Sequence, residues 1–93
     1  MNKEAIGIQK KAALSIKLLM GKERISNKLI SSKITELGSD ISLQTIMNYS
    51  SLRRLPDIGA MITMLKAIND ISGNSYTIKD IGLKNGPSFH TYV

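Results

Sequence analysis

The chain predicts a mainly α-helical fold: a compact bundle of four to five helices containing a helix-turn-helix, followed by a short C-terminal β-hairpin. Three observations carry this. Hydrophobic residues make up 42% of 93 residues, enough to drive folding, yet Trp is absent and Phe occurs once. The core must therefore come from Ile, Leu, Met and Ala, a composition suited to packed helices. Apolar residues also recur at spacings of three and four through the first 71 positions, the helical period. Only after "SGNS" at 72–75 does the pattern change to alternation.

The first segment spans about residues 3–20. Ala5, Ile8, Ala12, Ile16 and Leu19 form its apolar stripe, and Lys10, Lys11 and Lys17 fall off it. Gly21 is the expected stop. The lysines interrupt the apolar run, so the segment reads neither as a signal peptide nor as a membrane span. The second segment spans 26–37. Ser26 or Asn27 can cap it, Ile30, Ile34 and Leu37 face inward, and Gly38 ends it in a left-handed conformation.

After the turn "GSDIS", Ser42 caps a third segment running to 51. Ile46 and Tyr49 point to the core, with Ile41 or Leu43 as a third anchor. Ser, Thr, Asn and Tyr are mediocre helix formers, so this segment needs its neighbours. The fourth segment spans 57–71. Pro56 suits a first helical turn, Asp57 suits a cap, and Ile58, Met61, Ile62, Leu65 and Ile68 make a dense stripe. Beyond it, residues 76–81 and 89–93 read as two strands joined by the turn-rich "GLKNGP". Organisation follows: residues 1–73 as the helical domain and 74–93 as a hairpin extension, a candidate dimer contact if its edge is open.

Charge and chemistry narrow the function. With no Cys and one His, at position 90, disulfides and thiolate metal sites are excluded and nucleophile–base pairs are scarce. No cofactor or metal is expected, the chain does not read as an enzyme, and a reducing cytoplasm suits it. His90 reads as a surface strand residue. Net charge is +6, and its placement matters more: residues 1–54 hold ten basic and four acidic residues, whereas 55–93 hold three of each. A basic surplus confined to the first part of the chain suits a polyanion.

The third segment sharpens that reading. No carboxylate occurs at positions 41–56. Helical spacing puts Gln44, Met47, Asn48 and Ser51 on the face away from Ile46 and Tyr49. Gln and Asn pair with adenine through two hydrogen bonds, Ser reaches either kind of base edge, and an apolar side chain can touch the thymine methyl. Arg53 and Arg54 follow the segment, and Lys28 and Lys33 lie on the one before it; all four are candidate phosphate contacts.

Here the chain resembles the lambda-repressor/Cro-like (XRE-type) helix-turn-helix family. The matching residues are "LG" at 37–38, "ISLQTI" at 41–46 and "LPDIGAMITMLKAI" at 55–68, with Ser39 and Asp40 lengthening the usual turn. The resemblance covers roughly residues 8–71. It implies a helical bundle that binds operator DNA as a homodimer and regulates transcription, with Ser42, Leu43, Gln44, Met47 and Asn48 at the base-reading positions. A small Cro-like repressor from a mobile element is the expectation. An architectural or recombination accessory factor, or a protein-interaction module such as an antitoxin or adaptor, is the alternative.

Overall fold

The computed structural model describes residues 3–83, with side chains from Ile6 onward. Within them lie four α-helices, α1 (Lys3–Lys22), α2 (Asn27–Glu36), α3 (Leu43–Ser50) and α4 (Ile58–Ser72), then a 3-10 turn over Ile78–Ile81. No strand occurs among the described residues.

α2, α3 and α4 each start where a side chain can accept from free backbone N–H groups. The Ser26 hydroxyl accepts from Leu29 N at 3.0 Å, so Ser26 and not Asn27 caps α2. Ser42 caps α3 through Thr45 N at 3.2 Å. The Asp57 carboxylate caps α4 through Ala60 N at 2.7 Å, a charge-assisted bond at the positive end of the helix. Asp57 thus occupies the N-cap, which places Pro56 one residue before the cap, outside the first turn where its fixed φ suggested it. Pro56 is instead buried, and its carbonyl accepts from Gln9 Nε2 of α1 at 2.9 Å.

α1 and α2 end on one pattern, a left-handed residue that lets two backbone N–H groups reach back to free carbonyls. Gly38 (φ 89°) closes α2, with Gly38 N on Thr35 O and Ser39 N on Ile34 O. Gly73 (φ 75°) closes α4. Gly21 does not stop α1 as its identity suggested. The helix runs on to Lys22 and Arg24 takes the left-handed position, φ 57°, with Ile25 N bonded to Met20 O. The stop is set by Ile25, whose burial draws the chain back to the core.

That core is built largely from isoleucine. Ile16 of α1, Ile30 and Ile34 of α2, Ile46 of α3, Ile68 of α4 and Ile81 of the 3-10 turn are each essentially inaccessible to water. Met61 and Met64 fill the space between them. Ile41, from the turn before α3, packs on this cluster, whereas Leu43 remains exposed, so Ile41 is the third anchor. Ile62 departs from the expected stripe of α4 and is 45% exposed.

The expected hairpin is not formed. Its first strand, at 76–81, is replaced by the 3-10 turn; its second, at 89–93, and His90 with it, lie outside the described residues. Local hydrogen bonds defeat the alternation. Asn69 of α4 clasps the backbone of Tyr76 at both groups, accepting from its N at 2.8 Å and donating to its O at 2.9 Å. The Asp80 carboxylate then accepts from Thr77 N at 2.6 Å. Both strand-type ladder sites are consumed, and Ile81 and Leu83 turn into the core beside α1.

On the opposite side α1 keeps an apolar line in solvent: Leu18 is 74% and Leu14 39% exposed. The glycines of α1 are also exposed, and a Cβ added at either would meet nothing within 4 Å.

Two substitutions test the ends of α1. Arg24→Gly removes the left-handed strain, and Gly21→Ala removes a flexible residue from a helical position. Each is expected to raise unfolding free energy by about 0.5–1 kcal/mol in urea titrations at an unchanged slope.

Candidate nucleic-acid interface

α3 is an eight-residue helix with Ile46 as its only fully buried side chain. Tyr49, one turn further, packs half-buried on the core. With these two inward, a spacing of 100° per residue turns Ser51, Gln44, Met47 and Asn48 outward. Gln44 and Ser51 are exposed, Met47 is 46% exposed, and Asn48 is half-buried. Leu43 lies on the shoulder of this face and is exposed.

The polar groups on the face are not equivalent. Gln44 Nε2 donates to Asn48 Oδ1 at 3.3 Å, which aligns the two amides along the helix. The Gln44 carbonyl oxygen and a second N–H of its amide stay available, as do both N–H groups of Asn48. One acceptor beside one donor is the set that an adenine edge requires. Ser42 is exposed, but its hydroxyl is engaged by Thr45 N and Thr45 Oγ1 and serves as a cap first. The Ser51 hydroxyl donates to the Asn48 carbonyl at 3.3 Å.

That carbonyl is the hub of the helix end. It also accepts from Arg53 N at 3.0 Å and Arg54 N at 3.3 Å. The chain reaches it through Leu52, which adopts φ 61°, a conformation that costs a non-glycine residue about 1–2 kcal/mol. Arg53 and Arg54 are thereby bound at the backbone to the last turn of α3, with both side chains exposed. Nothing in the sequence marks Leu52, because Gly or Asn usually fills this role.

Of the two lysines on α2, Lys28 is exposed in its first turn. Lys33 is half-buried and its Nζ lies 3.5 Å from Glu36 Oε1, an exposed i,i+3 pair that an anion could replace at little cost. α2 and α3 pack against each other, and a side-chain bond fixes their ends: Ser50 Oγ donates to Asn27 Oδ1 at 3.1 Å. The pair is 23 residues apart, so no local pattern could have revealed it.

Burial lifts the Tyr49 hydroxyl above the ordinary tyrosine value of 10.0; Arg54 nearby pulls it down and Asp57 pushes it up by less. Hydrogen bonding to Glu23 raises Tyr76, whose hydroxyl donates to Glu23 Oε2 at 2.6 Å.

Among the described residues no group of His, Asp and Glu could hold a metal ion, and no helix is long and apolar enough to cross a membrane. No protein-family model, curated protein or solved structure matches the chain.

Two measurements check this geometry. A double-mutant cycle on Asn27→Ala and Ser50→Ala is expected to give a coupling of about 0.5–1.5 kcal/mol, and additive losses would mean the bond is not formed. For both tyrosines the folded value exceeds the unfolded one. Their stability contribution is therefore complete below the unfolded value and lost as pH rises through the folded one. Unfolding free energy is expected to fall above about pH 10, less steeply in Tyr49→Phe.

Proposed function

We propose that this protein binds double-stranded DNA by laying the outer face of α3 in the major groove, and that it regulates transcription as a small Cro-like repressor. One observation carries the reading: an exposed helical face bearing two aligned amides, with no carboxylate between 41 and 56 and with Arg53 and Arg54 held at its end. A carboxylate there would face phosphate oxygens a few ångströms away, whereas amides, Met47 and the serines suit base edges.

The mechanism divides the work. Lys28, Lys33, Arg53 and Arg54 neutralise backbone phosphates and release counterions, giving affinity that falls with salt. Gln44 and Asn48 select the bases, Met47 and Leu43 offer apolar contact to thymine methyls, and Ser42 and Ser51 border the face. The resemblance to the lambda-repressor/Cro-like family supports this reading through "ISLQTI" and the α4 motif. A helix of eight residues spans few base pairs. A homodimer on a palindrome, with half-sites about one helical turn apart, therefore accompanies the proposal.

The test selects bound sites from a random duplex library and titrates the winner at several salt concentrations. Gln44→Ala is expected to relax base choice at one position, at a cost of about 1–3 kcal/mol on the selected site. Arg53→Ala is expected to weaken all sites alike and to reduce the salt slope by about one. Equal binding of random and selected duplexes would overturn the regulator reading.

A further inference from the structure

The outer line of α1 is unused by the fold and by the proposed DNA face. Opposite the side buried by Ala12, Ile16 and Met20, helical geometry aligns Gly7, Leu14, Leu18 and Gly21. Lys10 and Lys17 border this line on one side, and Lys11 and Lys22 on the other. Leu14, Lys17, Leu18, Gly21 and Lys22 line a shallow surface groove there. Among the described residues none of the four lysines is in an ion pair. The two glycines, seven residues to either side of Leu14, leave the helix backbone bare. Neither has a positive φ nor an atom near enough for a Cβ to touch, so nothing within the chain requires them.

We propose that this strip docks an acidic amphipathic helix of a protein partner. The partner's apolar residues would cover Leu14 and Leu18, its backbone would approach most closely at Gly7 and Gly21, and its carboxylates would meet the two lysine rows. Charge complementarity selects this occupant. A second copy of the chain sets lysine against lysine: paired antiparallel about Leu14, Lys11 faces Lys17, and paired in parallel each lysine faces itself. A DNA backbone would meet the lysines but leave two leucines against phosphate. An anionic membrane offers too little in return, since the strip carries only two leucines and no aromatic side chain to insert. Only an acidic helix uses the leucines, the lysines and the bare backbone together. The inference does not rest on the DNA reading.

The probe is a designed helical peptide with leucines at i, i+4 and i+7 flanked by glutamates, titrated into the isotope-labelled full chain. Amide shift changes are expected along α1 at residues 7–22. Leu18→Ser, at a site too exposed to unfold the protein, is expected to weaken binding by roughly tenfold or more, as loss of a buried leucine does. Lys17→Glu is expected to weaken it and to flatten its salt dependence. A peptide with lysines in place of glutamates should not bind. Shifts confined to other surfaces, insensitivity to Leu18→Ser, or no binding at all would overturn the proposal. So would preferential occupation of α1 by anionic vesicles or duplex DNA, or self-association that Leu18→Ser abolishes.

Discussion

An eight-residue helix does not hold its shape alone in water, because nucleation costs more than two turns of hydrogen bonds return. α3 persists because Ile46 is fully buried in the core cluster that also holds the isoleucines of α1, α2 and α4. The outward set of Gln44, Met47, Asn48 and Ser51 depends on that one insertion. Were Ile46 to withdraw, the half-buried Tyr49 would be the only apolar side chain of the helix itself still packed on the core. The same constraint explains the weak helix formers on the outer face: propensity is dispensable where packing supplies the stability.

The ends of α3 are then fixed by polar contacts. Ser42 closes the start and the Asn48 carbonyl closes the end, collecting Ser51, Arg53 and Arg54. Ser50 ties the last turn to Asn27 at the beginning of α2. The left-handed Leu52 makes this closure possible at a local cost. The result couples two kinds of residue proposed to do different work: amides that read and arginines that grip share one short stretch of ordered backbone. Specific recognition needs that coupling, since a phosphate contact informs base choice only if the register between them is rigid.

α1 serves two environments. Its inner face closes the core over α3, α4 and the 3-10 turn, while Leu14 and Leu18 on its outer line stay in solvent. Gly7 and Gly21 each weaken the helix by about 1 kcal/mol relative to alanine, although no atom of the chain lies where a Cβ would reach.

The sequence by itself determined the four helices, their caps at Ser42 and Asp57, the stop at Gly38, the inward set led by Ile46, and the acid-free outward face. These are set by neighbours three or four residues apart, and such spacing can be read directly. Tertiary structure decided what depends on distant partners. Burial of Ile25 carried α1 past Gly21 to Lys22 and put Arg24 in the left-handed position, and contact with Gln9 claimed Pro56. The clasp of Asn69 on Tyr76 converted an apparent strand into a turn that buries Ile81. Alternation of side chains signals a strand only when the backbone N–H and C=O groups are free to pair with another, and here a helix had already taken them.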